Sequence, residues 1–125
     1  MKGQDDRRQE LQGRAAFLGT VDLFRSLSPE RIEQLAIATV TIRFAAGATI
    51  VSEGDEAEYI YVVSEGEVEL IWPMAPAEVR SAREYFGELA PGDGVRHHAG
   101  AVTQTAASVY ALDRNQVVAA LAPPS

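Results

Sequence analysis

From Thr39 to Trp72 the chain reads TVTIRFAAGATIVSEGDEAEYIYVVSEGEVELIW, a run rich in β-branched and aromatic residues and interrupted by Gly47, Gly54 and Gly66. Such residues fit a pleated, half-buried surface, and glycines at short intervals break it into short strands joined by turns. The pattern predicts strands over 39–44, 48–52, 58–63 and 67–72, with a tight hairpin at Ser64-Glu65-Gly66 in which Gly66 takes a positive φ. In the last of these, Val68, Leu70 and Trp72 alternate with Glu67, Glu69 and Ile71, giving one buried and one wet face. Strand character returns over 101–112, whereas 73–84 reads as a connection with short strand pieces. The aromatic residues Trp72, Tyr59, Tyr61, Tyr85 and Tyr110 are read as core and rim packing.

Helical signals frame this β-rich centre. Residues 1–10 are read as frayed or weakly helical, and Leu11, Ala15, Leu18 and Val21 form a rough helical stripe broken at Gly19 and Thr20. In SLSPERIEQLAIA, Ser28 is placed to cap, Pro29 fits the first helical position and Glu30 suits the positive end of the dipole. Ile32, Leu35 and Ala36 then share one face. Near the C-terminus, Asp113 is placed to cap a helix over DRNQVVAAL, with Val117, Val118 and Leu121 turned inward. The whole reads as a mainly β fold, a double-stranded β-helix jelly roll with flanking N- and C-terminal helices.

The 125 residues suit one compact domain, and the formal net charge of −7 argues against a general nucleic-acid surface. Ten of the eleven basic residues are Arg, and none lies between Arg43 and Arg80. With no cysteine there is no disulfide, zinc-thiolate site or thiol nucleophile, which fits a cytoplasmic location. No apolar run approaches the ~18 residues that span a bilayer, and the charged N-terminus lacks the apolar core of a signal peptide. Any anion site in so acidic a chain must be local, made of directed N–H groups and one or two cations.

One stretch has that character: FGELAPGDGVRHHAG, residues 86–100. Gly87 permits close approach of backbone to a ligand, and Glu88 is placed to accept a hydrogen bond from a ligand hydroxyl. Residues 89–92 are placed to begin a short helix with N–H groups free for a phosphate. Pro91 has no N–H to give, and Gly92 and Gly94 disfavour helix, so a turn is the alternative. Arg96 and His97 are alternative phosphate partners. Contact by His97 predicts affinity that rises as pH falls below about 6.5. His97 and His98, being adjacent, point to opposite faces of an extended chain and do not suggest a shared metal. No serine lies in an elbow motif, so no catalytic constellation is read.

In this order and spacing, LFRSLSPERIEQLA, FAAGATIVSEGDEAEYIYVVSEGEVEL, YFGELA and VYALDRNQVVAAL resemble the cyclic nucleotide-binding domains of the catabolite-activator and protein-kinase regulatory-subunit type. The resemblance covers most of 20–121, with 1–19 an N-terminal helical or flexible segment and 122–125 a tail. It implies a non-catalytic regulatory domain without a cofactor, whose possible ligand is cAMP or cGMP, held by Phe86, Gly87, Glu88, Leu89, Ala90, Arg96, His97 and His98. Counting along the family's spacing from Glu88, and back from LDR at 112–114, sets His97 where the family has its phosphate-binding Arg. Occupancy of the 86–98 pocket would order that loop and shift the flanking helices. No output domain is expected after residue 121, so the effector would be an attached or separate protein domain, with a homodimer possible. The family's longer final helix, a lid over the purine, is expected to be missing. The alternative is a protein-interaction or dimerisation module that keeps the fold and binds no nucleotide.

Overall fold

A computed structural model describes residues 2–123, with side chains described from residue 6 onward. Helix α1 (Lys2–Gly19) is followed by a 3-10 turn (Asp22–Phe24) and α2 (Pro29–Ala38). Eight strands come next: β1 (Val40–Phe44), β2 (Thr49–Val51), β3 (Tyr59–Glu65), β4 (Val68–Ile71), β5 (Glu78–Arg80), β6 (Tyr85–Phe86), β7 (Gly100–Thr103) and β8 (Ala107–Asp113). Helix α3 (Arg114–Leu121) closes the series. The strands form two antiparallel four-stranded sheets, ordered β1-β8-β3-β6 and β2-β7-β4-β5. The fold is the jelly roll with flanking helices that the sequence predicts.

Strand β3 explains why both layers are needed. Its YIYVVSE run is buried from Ile60 to Val63 on both faces. Ile60 and Val62 point to the helices, where they pack with Leu18, Val21, Phe24, Ile32, Leu35, Leu112 and Val117. Tyr61 and Val63 point into the space between the sheets, with Val51, Val68, Leu70, Phe86, Val109 and Ala111. Full burial of one such aliphatic side chain stabilises by roughly 1.5–3 kcal/mol. A strand with two apolar faces therefore needs a sheet on one side and helices on the other.

The local signals for α2 operate as expected. The Ser28 side chain accepts from the Arg31 amide at 3.3 Å, Pro29 opens the helix, and Ile32, Leu35 and Ala36 are buried. Asp113 caps α3 by accepting from the Gln116 amide at 3.0 Å. Val117 is fully buried, whereas Val118 and Leu121 are only partly covered. Residues 2–10, expected to be frayed or weakly helical, are helical and continue α1 without a break. Residues 2–19 contain neither Pro nor a β-branched side chain, and the cost of Gly3 and Gly13 is not enough to break the helix. Of the expected tail, residues 124 and 125 lie outside the described residues.

Two expectations are corrected by the topology. Ser64-Glu65-Gly66 is not a hairpin, because β3 already has β8 and β6 on its two edges and the chain must cross to the other sheet. The local hairpin of this region joins β4 and β5 through residues 72–77. The strand expected over 101–112 is two strands, which belong to different sheets and are joined by a bend at 104–106. Gly66 does have positive φ, at 86°, and a Cβ there would stand 2.3 Å from the Ala106 carbonyl oxygen. The two crossings thus touch at one corner, where only glycine fits.

Gly66→Ala is expected to destabilise the protein by about 3 kcal/mol or more, from φ strain and overlap together. Gly47→Ala, also at positive φ but with nothing within 4 Å of the added carbon, should cost about 1 kcal/mol. Denaturant titration of the two variants checks the contrast, and equal losses would contradict it.

Candidate functional site

The site begins where sheet β1-β8-β3-β6 ends. Strand β6 pairs with β3 through Tyr61↔Phe86 and Val62↔Tyr85, and Phe86 stacks on Tyr61 with ring centroids 5.0 Å apart. The chain then turns at Gly87, φ 121°, where a Cβ would lie 3.1 Å from the Tyr59 carbonyl oxygen and 3.2 Å from Ile60 Cδ1. Glycine thus lets the loop hug β3. Glu88 follows at the mouth of the turn.

The far end of the loop is clipped to the segment before β3. The Ala57 amide donates to the Val95 carbonyl at 2.8 Å, the His97 amide to the Asp55 carbonyl at 2.8 Å, and the Gly54 amide to the His97 carbonyl at 2.8 Å. Extended pairing makes the side chains alternate. Arg96 faces outward and donates from Nη1 to the Gly54 carbonyl at 2.9 Å. His97 turns in and is 4% exposed. His98 turns out again, its side chain 75% exposed.

Glu88 and His97 line one cavity of about 420 Å³, together with Phe86, Gly87, Ala99 and residues of the opposite wall. That size suits a small organic ligand. Arg96 and His98 do not line it. They face a neighbouring open cleft of about 560 Å³, separated from the cavity by Trp72 and His97, which border both. Leu89 and Ala90 line neither. No helix forms over 89–94. Pro91 and the left-handed Gly92 (φ 91°) and Gly94 (φ 75°) give the irregular turn that the sequence allows as the alternative.

Both oxygens of Glu88 are already engaged. Oε1 accepts from the His98 amide at 2.9 Å, and Oε2 lies 3.1 Å from His98 Nδ1. The chain's own carboxylate thus takes the amide of residue 98, a donor that an anionic ligand in this loop would want. Burial lowers the pKa of His97 below its ordinary 6.5, against the smaller pull of Glu88 and Asp55 and with a small push from His98 in the same direction. His97 is therefore a neutral imidazole at pH 7, with one ring donor rather than a charged fork.

Positive charge on the cavity wall comes instead from residues that the sequence reading passes over. Arg80 on β5 is half committed, donating from Nε to the Tyr85 carbonyl at 3.1 Å and from Nη2 to Glu78 at 2.9 Å. Arg83, on the turn before β6, has φ 76°, a left-handed conformation rare for a non-glycine residue. Its amide donates to the Val63 carbonyl at 2.9 Å. Its guanidinium has no acceptor among the described residues. Trp72 contributes a flat wall, and its buried indole N–H has no acceptor among the described residues. The only local signal for the two arginines is their place in a connection directly before FGE.

Residues 41–123 match the family model described as the cyclic nucleotide-binding domain. The cAMP-dependent protein kinase regulatory subunit of Aspergillus niger is 34% identical over 110 residues, which are 86% of this chain and 27% of that protein. The chain thus spans about a quarter of the length of such relatives. Among solved structures, the regulatory subunit of a cAMP-independent protein kinase A from Trypanosoma cruzi, bound to guanosine, superposes with a TM-score of 0.78 and 27% identity. The match covers 92% of this chain and 42% of that one. The regulatory domain of Toxoplasma gondii protein kinase A with cAMP shares the fold, with a TM-score of 0.82 and 24% identity over 94% of this chain and 47% of that one.

A histidine whose pKa is lower folded than unfolded stabilises the fold in its neutral form. That contribution is complete above about pH 6.5 and is lost as pH falls from there through the folded pKa. Native protein should therefore lose more stability between pH 7.5 and pH 5 than His97→Gln does, as denaturant titrations at both pH values can show. Parallel losses would contradict the burial of a neutral imidazole.

Proposed function

This chain belongs to the cyclic nucleotide-binding domain family, and from that membership we propose that it is a non-catalytic regulatory domain of the cytoplasm. It holds a small ligand of the cyclic nucleotide class in the cavity of Glu88 and His97 and passes occupancy to an attached or partner protein domain. The observation that carries this reading is an open cavity of about 420 Å³ with Glu88 and His97 on a shared wall. Glu88 accepts the ribose hydroxyls, and an inward hydroxyl and the outward His98 compete for its oxygens. Arg83 and Arg80 take the part of the cavity's cations, because Arg96 is turned away and His97 is neutral.

A second reading is favoured by His97 specifically. Where the family's Arg would pair with a phosphate, this chain has a buried neutral ring beside carboxylates. Such a floor suits an uncharged purine nucleoside better than a cyclic phosphate, since an anion seated at His97 would meet Glu88 and a neutral ring, leaving only Arg80 and Arg83 of the same cavity to offset it. The Trypanosoma cruzi relative, bound to guanosine, supports a nucleoside as the ligand class.

Calorimetry with cAMP, cGMP, adenosine and guanosine separates the readings. Glu88→Ala should weaken any ribose-bearing ligand by about tenfold, and Arg96→Ala should change affinity less than about twofold, the margin of an exposed contact. Arg83→Ala should weaken the cyclic nucleotides and leave the nucleosides. His97→Arg supplies the bidentate cation and should raise affinity for the cyclic nucleotides by about tenfold or more, with no gain for guanosine. No heat from any of the four at millimolar concentration would overturn both readings in favour of an interaction module.

A further inference from the structure

Glu88 and His98 stand at the two ends of the loop after β6, and they meet at two points. The His98 amide donates to Glu88 Oε1 at 2.9 Å, and His98 Nδ1 lies 3.1 Å from Oε2. One residue thus brings two donors to one carboxylate, the first fixed in the backbone and the second on a ring. The Glu88 side chain is mostly covered, at 22% exposed, whereas that of His98 is 75% exposed. Glu88 borders the cavity of about 420 Å³ and His98 borders the outer cleft, so the contact crosses from one space to the other.

A sugar offers a carboxylate the same thing, hydroxyl donors. Residue 98 therefore occupies Glu88 in the manner of a ligand, from the opposite side. Its two donors differ in one respect. The amide is unchanged by pH, whereas an imidazole gains a positive charge as pH falls through the range near 6.5. A charged donor holds a carboxylate more strongly than a neutral one. The other charged and titratable groups around the ring are Glu53, Arg96 and His97 in the same cleft, and Asp55, whose carbonyl takes the His97 amide. Behind Glu88, the cavity adds Arg80, Arg83 and Glu84. Glu53 and Arg96 carry opposite charges, so a charged ring at His98 meets no excess of positive charge in its own cleft.

We propose that His98 is a built-in competitor for the Glu88 carboxylate, the residue that sets how tightly the site takes a sugar hydroxyl and that withdraws Glu88 from the cavity in acid. The proposal rests on the reading of Glu88 as a hydroxyl acceptor and adds a regulation of that site. Two consequences are specific to it. Affinity for a ribose-bearing ligand falls on acidification, the opposite sign to the rise that phosphate contact by His97 would give. A ligand without sugar hydroxyls makes no claim on Glu88, so it is indifferent to His98.

The first test needs no ligand. Among the described residues the His98 amide has no acceptor besides Glu88, so Glu88→Ala should speed hydrogen exchange at that amide by about tenfold. An unchanged rate would overturn the proposal whatever the site binds. Calorimetry then compares guanosine and cGMP with 2′,3′-dideoxyguanosine and 2′-deoxy-cGMP. At pH 7.5, His98→Ala should raise affinity for the first two by roughly two- to fivefold, the scale of an exposed contact, and leave the deoxy analogues unchanged. The chain has two histidines, so His97→Gln leaves His98 as the sole imidazole. In that background, affinity for the ribose ligands should fall by roughly two- to fivefold between pH 7.5 and pH 5.5, and His97→Gln/His98→Ala should show no such fall. Should His97→Gln fail to fold or bind, the pH profiles of the native chain and His98→Ala decide instead. Ligand binding with the same pH profile with and without His98, or an equal gain for the deoxy analogues, would overturn the proposal and leave the reading of Glu88 standing. Faster exchange at residue 98 with no heat from any ligand would overturn both.

Discussion

The structure depends on strand β3 being apolar on both faces. Tyr61 and Val63 require an opposing sheet, and Ile60 and Val62 require a helical layer. Neither layer alone would remove the strand from water. The arrangement also fixes the candidate site, because β6 is the edge strand laid against β3 and the loop that carries Glu88 leaves directly from β6. Gly87 can follow β3 so closely only because it has no side chain. The position of Glu88 thus traces back to the pairing of Phe86 with Tyr61.

What the sequence shows of this fold is what short-range chemistry determines. Ser28 and Asp113 mark helix starts through bonds made within four residues, Pro29 through its fixed φ, and the structure keeps all three signals. The positive φ of Gly66 was legible for the same reason. Its partner strand was not, because a glycine turn between two strands looks alike whether the second strand folds back or crosses to another sheet. The missing information lay in β8, more than forty residues away, which occupies the edge that a hairpin would need.

The site divides along the same line. The loop FGEL and its alternation at 96–98 could be read from the residues, and the inward turn of His97 with the outward turns of Arg96 and His98 follows from extended pairing. Arg80 and Arg83 were not legible as site residues, since what gives them meaning is the approach of distant segments.

The partition between the cavity and its neighbouring cleft has an optical consequence. Trp72 borders both spaces and is the sole tryptophan of the chain. All indole emission therefore originates at that wall. The chromophore reports the polarity of the cavity from within, as a built-in label that no engineering has to supply.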